Sequence, residues 1–140
     1  MKKNGVMTSK VIGAGGIAAT PTGFRIDIRL PWYRSLPVST VEIDSVAIDG
    51  VPVDRANVTF ELEDREIALS AMPDAVDTVW YVLDSAYLNV KSGRLDPAAA
   101  HEFSVTMSLY PPYIRGLRRM TQDREVLRPQ PNIPVPHGTR

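Results

Sequence analysis

The sequence predicts an all-β protein, an antiparallel β-sandwich of about seven or eight short strands. Three observations carry that prediction. Apolar and polar residues alternate over several short segments, turn-forming residues such as Asp49-Gly50 separate those segments, and no helical period lasts beyond a turn or two before residue 113. A short C-terminal helix and extended arms complete the expected architecture. Residues 1–20 are read as a flexible N-terminal segment, 21–114 as the sandwich, and 115–140 as a basic, Pro-rich arm.

Residues 1–20 hold glycines, alanines and small polar residues with no sustained period. The first clear strand follows, with Phe24, Ile26, Ile28 and Leu30 on one face and Arg25, Asp27 and Arg29 on the other. It runs into Pro31-Trp32-Tyr33-Arg34-Ser35-Leu36-Pro37, where two prolines stiffen a loop bearing the residue types most common in binding hot spots. In Thr40 to Asp49, the residues Val41, Ile43, Val46 and Ile48 shift phase by one residue, which predicts a bulge. Asp49-Gly50 then suits a two-residue hairpin turn, whose central positions both need positive φ, and Val51 to Val53 is the return strand.

Val58, Phe60 and Leu62 alternate inward, Glu63 to Glu66 makes a charged turn, and Ile67 to Leu69 pairs back. Ser70 to Asp77 reads as a loop or a single helical turn. The near-continuous apolar run from Thr78 to Leu83 predicts a strand buried on both faces, with Trp80 a core anchor. Tyr87 to Lys91 is a further short strand, and Ser92-Gly93 and Asp96-Pro97 mark turns. Phe103, Val105, Met107 and Leu109 alternate with Ser104, Thr106 and Ser108 until Pro111-Pro112 ends the strand. Ile114, Leu117, Met120 and Leu127 suggest a helix within 113–127, and four prolines beyond residue 128 extend the end.

The formal net charge is zero but unevenly placed. Residues 1–23 carry Lys2, Lys3 and Lys10 and no acid, and residues 115–140 carry six arginines against Asp123 and Glu125. The body between them is acidic. That is the reverse of a nucleic-acid-binding body, where basic charge and aromatics share the folded surface. The basic ends are either solvated tails or arms that dock on acidic surface of a partner or a second copy. Cysteine is absent, which excludes disulfides and thiolate chemistry. No apolar run reaches the ~18 residues of a spanning helix, and Lys10 and glycines interrupt the would-be core of a signal peptide. The expected location is cytoplasmic.

The chain contains no self-contained active site in its motifs. Gly13-Ala14-Gly15-Gly16-Ile17-Ala18 matches the dinucleotide fingerprint, but Thr20-Pro21-Thr22-Gly23 leaves no room for the helix whose N-terminus would meet a pyrophosphate. His101 and His137 are the only histidines and have no metal-ligand spacing. The carboxylates Glu42, Asp44, Asp49, Asp54, Glu61, Glu63, Asp64 and Glu66 sit at strand and turn positions, where solvent-facing charge is the plain reading. Trp32 is equally suited to partner contact and to packing over the sandwich end.

The stretch Gly23-Phe24-Arg25-Ile26-Asp27-Ile28-Arg29-Leu30-Pro31-Trp32-Tyr33-Arg34-Ser35-Leu36-Pro37 resembles the small β subunit of bacterial C-glycoside deglycosidases. Similarity continues in Val46 to Val53, in Trp80 with Val82-Leu83-Asp84 and Leu88-Asn89-Val90, in Gly93-Arg94-Leu95 ahead of His101, and in Leu109 to Ile114. It spans about residues 20–114. Ser35 and Ala100 stand where family members commonly have glycine, and the chain after Tyr113 does not align.

The resemblance implies a non-catalytic or co-catalytic subunit, with no catalytic, cofactor-binding or metal-binding residue of its own expected. A TIM-barrel α subunit would carry a divalent metal, manganese, and the acid–base residues. The complex would cleave the carbon–carbon bond between a 3-oxo-sugar and an aromatic, flavonoid-type aglycone. Oxidation at the sugar 3-position acidifies the neighbouring C–H, so a base, a metal-stabilised enediolate and a protonated aglycone suffice for elimination. The expected interface residues are Arg29, Pro31, Trp32, Tyr33 and Arg34, with Tyr110 and Tyr113. Two rival readings are a stand-alone carbohydrate-binding module, stacking sugar on Trp32 and Tyr33, and an oligomerisation domain.

Overall fold

The computed structural model describes residues 10–92, 96 and 98–130. Among these residues there are eleven strands: β1 Ile12–Thr20, β2 Gly23–Ile28, β3 Leu36–Pro37, β4 Val41–Ile48, β5 Val51–Pro52, β6 Val58–Leu62, β7 Arg65–Ala68, β8 Val79–Trp80, β9 Ala86–Lys91, β10 His101–Leu109 and β11 Arg119–Leu127. They form one sheet of order β1-β2-β9-β6-β7, a second of order β11-β10-β4-β5, and the small pair β3-β8, with every strand pairing antiparallel. The all-β sandwich read from the alternation is thus the fold.

The period-2 pattern explains the core directly. Phe24, Ile26 and Ile28 of β2 lie beside Ala86, Leu88 and Val90 of β9, and facing them are Phe103, Val105, Met107 and Leu109 of β10. All ten are at most 2% exposed, and burying each large apolar side chain is worth about 1.5–3 kcal/mol. The ring of Phe24 meets Phe103 edge-on at 5.3 Å, and Phe60 meets Trp80 at 5.5 Å.

The turns follow their chemistry. Asp49 and Gly50 have φ of 54° and 80°, closing the β4–β5 hairpin as expected. Glu63 and Asp64, at 53° and 66°, close β6–β7 in the same way without a glycine. The phase shift in β4 is a bulge: Ser45 lies opposite Thr106 and Ile43 opposite Met107, leaving Asp44 as the extra residue. Its carboxylate accepts from Ser108 Oγ and lies 3.3 Å from an Arg118 nitrogen.

Three expectations are corrected. The first concerns residues 1–20, because residues 12–20 form β1 and extend the larger sheet; residues 1–9 lie outside the described set. Ile12 pairs with Ile28 and Ile17 with Ile26, so Gly13 to Gly16 bulge against Asp27 alone. The Gly15 N–H donates to Asp27 Oδ2 at 2.6 Å, and a Cβ on Gly15 would sit 2.5 Å from that oxygen. The glycines that mimic a nucleotide fingerprint therefore let an edge strand fold over a carboxylate.

The second correction is the C-terminal helix. Residues 119–127 form β11, paired with β10 along its whole length. The central strand β10 is buried on both faces through Thr106 and Ser108 and needs a neighbour on each side to satisfy its backbone. The inward positions of β11 include Thr121, Asp123 and Glu125, so no apolar alternation announced it. The sandwich thus extends beyond 21–114 at both ends of the chain. Past β11, Gln130 forms a parallel bridge with Ala18.

The third is the run from Thr78 to Leu83. Only Val79–Trp80 is a strand. The chain then turns, with Asp84 N–H bonded to Tyr81 O at 2.9 Å, leaving Tyr81 and Leu83 in solvent.

Candidate partner interface

Antiparallel pairing brings three loops to one end of the sandwich. The last residue of β2, Ile28, pairs with the first of β9, Ala86, and Leu109 at the end of β10 pairs with Val41 and Arg119. The loops 29–35, 81–85 and 110–118 all leave from this end.

The loops are joined to one another by side chains. The Trp32 indole N–H donates to the Tyr113 phenol oxygen, and the Arg34 guanidinium stands 5.2 Å from the Tyr113 ring centroid. Ser35 Oγ accepts from Val82 N–H at 2.9 Å, tying the first loop to the second. The second is fixed internally as well, since Trp80 Nε1–H donates to Asp84 O at 2.9 Å. Trp32 also lies against Tyr33, with centroids 5.0 Å apart.

Of the residues expected at an interface, Trp32, Tyr33, Arg34 and Tyr113 are thus brought together. Tyr33, Arg34 and Tyr113 are exposed, whereas Pro31 and Trp32 are buried beneath them. Trp32 is only 8% exposed, so between contact and packing the structure chooses packing. Arg29 is exposed, and its backbone N–H bonds to Val11 O. Tyr110 stands apart on the far side of Pro111-Pro112. Its hydroxyl donates to Glu42 at 2.8 Å, and that carboxylate holds the phenol above its ordinary pKa.

Sequence reasoning missed Tyr81, Leu83 and Ile114, which are all exposed at the same end. Leu83 is 88% exposed, more than any other large apolar residue described. The turn-forming Asp84-Ser85 just after it is the signal that separates an exposed turn from a buried strand.

The opposite end holds a second polar arrangement. His101, 8% exposed, has Nδ1 2.7 Å from Asp49 Oδ2 and Nε2 2.6 Å from Asp96 O. Both partners are acceptors, so only the imidazolium satisfies both nitrogens. The Asp96 carbonyl first, then Asp49, raise the His101 pKa, while the Glu102 N–H and then His101 lower that of Asp49. No group of three or more His, Asp or Glu side chains among the described residues could hold a metal ion.

The match to a family model decides the family: residues 3–113 fit that of the C-glycoside deglycosidase beta subunit. The chain belongs to this family. Among its curated members, the 3'-dehydrocarminate deglycosidase beta subunit of a Microbacterium species is 40% identical over 105 residues, 75% of this chain and 79% of that protein. The C-glycoside deglycosidase beta subunit of Microbacterium trichothecenolyticum is 32% identical over 111 residues, 78% and 82% of the two chains. That of Arthrobacter globiformis is 32% identical over 89 residues, 64% and 67%. The family match takes in β1 to β10 and the loops 29–35 and 81–85, and ends at Tyr113, before β11. No helix among the described residues is long and apolar enough to cross a membrane.

Proposed function

We propose that this chain is the β subunit of a C-glycoside deglycosidase complex. That complex cleaves the C–C bond between a 3-oxo-sugar and an aromatic, flavonoid-type aglycone by metal-assisted elimination. The observation that carries the reading is membership of a family whose curated members are named as deglycosidase beta subunits. The metal, manganese, and the acid–base residues belong in this reading to a TIM-barrel α subunit, and the complex works in the cytoplasm as a carbon–carbon lyase. The described residues of this chain offer no cluster of metal ligands, and no chemical step is assigned to them.

The role left to this chain is to bind and steady the α subunit. Support comes from the loop end, where Tyr33, Arg34 and Tyr113 are exposed over the buried Pro31 and Trp32, with Arg29 exposed on the same loop and Tyr110 set apart beyond Pro111-Pro112. Large apolar area beside arginines is the composition of interface centres. The carbohydrate-module alternative is left with Tyr33 alone, because the Trp32 ring is not open to a sugar face.

Co-expression with the TIM-barrel protein tests the reading. A stable complex that needs manganese and releases aglycone from a 3-oxo-C-glycoside is expected. A chain that stays monomeric beside the α subunit, or that releases aglycone alone as fast as the mixture, overturns it.

A further inference from the structure

Leu83 sits almost wholly in water on a turn that has little freedom to hide it. Three hydrogen bonds fix that turn: Asp84 N–H to Tyr81 O, Trp80 Nε1–H to Asp84 O, and Val82 N–H to Ser35 Oγ, each 2.9 Å. The side chain that anchors it, Trp80, is fully buried. A rigid element presenting Tyr81 and Leu83 therefore costs little conformational entropy when it docks, which is the condition for a good anchor.

The charge around it indicates what it docks on. The joined loops also expose Arg34 and Arg115, with Asp84 the exposed acid among their tips. Two copies abutting across a two-fold axis would bring these arginines face to face. A different partner, with carboxylates around an apolar hollow, meets both the charge and the knob.

We propose that the Tyr81–Asp84 turn is the knob that seats Leu83 in an apolar socket of the α subunit, rimmed by carboxylates that face Arg34 and Arg115. This rests on the subunit reading above. Sequence reasoning placed the interface on the Trp32 loop, and here the deepest contact moves to the neighbouring turn.

The experiment is co-purification and titration of the full chain with the co-expressed α subunit. Leu83→Asp should weaken the complex by at least about tenfold, and Leu83→Ala by less, as for a central apolar anchor. Val126→Asp, at a residue 67% exposed on β11, should leave it intact. The melting temperature of the isolated chain should not move in Leu83→Asp, since the side chain touches little of its own fold. Added salt should slow association if carboxylates face the arginines. An unchanged complex with Leu83→Asp overturns the knob while leaving the subunit reading in place. So does a self-association of the isolated chain that Leu83→Asp abolishes without affecting the α subunit. A wild-type chain that forms no complex overturns both.

Discussion

The indole N–H of Trp32 donates to the phenol oxygen of Tyr113, a residue 81 positions further along the chain. The bond fastens the loop leaving β2 in one sheet to the loop leaving β10 in the other, so the sandwich end is held as one surface. Tyr113 in turn carries the Arg34 guanidinium over its ring.

Trp32→Phe keeps most of the packing and removes the donor. It should cost about 1 kcal/mol of stability, the net worth of one hydrogen bond, read from urea unfolding. Trp32→Ala should cost about 3–5 kcal/mol through the cavity it opens. Equal losses for the two would mean that the ring packs against nothing of consequence.

Tyr33→Ala and Arg34→Ala touch exposed side chains and should leave unfolding nearly unchanged. In calorimetric titration with the α subunit each should weaken association by on the order of 2 kcal/mol if it is a hot spot. An undiminished affinity removes that residue from the interface.

Asp123 Oδ2 accepts from the backbone N–H groups of Val11 and Ile12 at 2.9 and 2.8 Å, joining β11 to the start of β1 across the sandwich edge. Asp123→Ala leaves two amides without their acceptor, at about 1–3 kcal/mol for each one that stays buried. Hydrogen exchange at Val11 and Ile12 should accelerate well before that of β10. Protection that is unaltered would show that the carboxylate does not hold the strand.

His101 and Asp49 set opposite pH limits on the turn end. The folded His101 pKa is raised above its ordinary 6.5, so its contribution is complete below that value and is lost as pH rises through the folded pKa. The folded Asp49 pKa is lowered below 3.8, so its contribution is present above that value and is lost as pH falls through the folded one. The pair is therefore fully effective between about pH 4 and 6.5. The urea midpoint of the wild-type chain should fall from pH 6 towards pH 9, and His101→Gln should flatten that decline. Parallel curves for the two proteins would mean that His101 does not carry it.

Gly15→Ala should destabilise the chain by about 1–3 kcal/mol, because the new Cβ meets the Asp27 carboxylate and forces the bulge away. Gly16→Ala, with φ of 68° and open space around the Cβ, should cost only about 1 kcal/mol. Equal Tm shifts would mean that the bulge does not depend on its approach to Asp27.

Much of the fold was legible in local pattern. Phe24 to Ile28, Val58 to Leu62 and Phe103 to Leu109 alternate because one face of each strand packs into the core between the sheets, and the backbone period writes that into the sequence. Asp49-Gly50 and the phase shift around Asp44 were legible because turn and bulge geometry are local. The stretch from Gly23 to Pro37 also carried the family, and it placed Tyr33 and Arg34 on an exposed loop.

What remained hidden depended on distant partners. The inward face of β11 is largely polar, because Asp123 bonds to Val11 and Ile12, more than a hundred residues away. The glycines of β1 had no pattern until Asp27 gave them something to fold over. Trp32 could lie in or out until Tyr113 closed over the same loop. Leu83 looked like core because an apolar run is the same string in a strand and in a turn. The sequence by itself determined which faces are apolar, where the hairpins close and which family the chain resembles. The tertiary structure decided which edges are joined, and so which aromatic and apolar side chains are left facing a partner, because those outcomes rest on hydrogen bonds between segments that no local period connects.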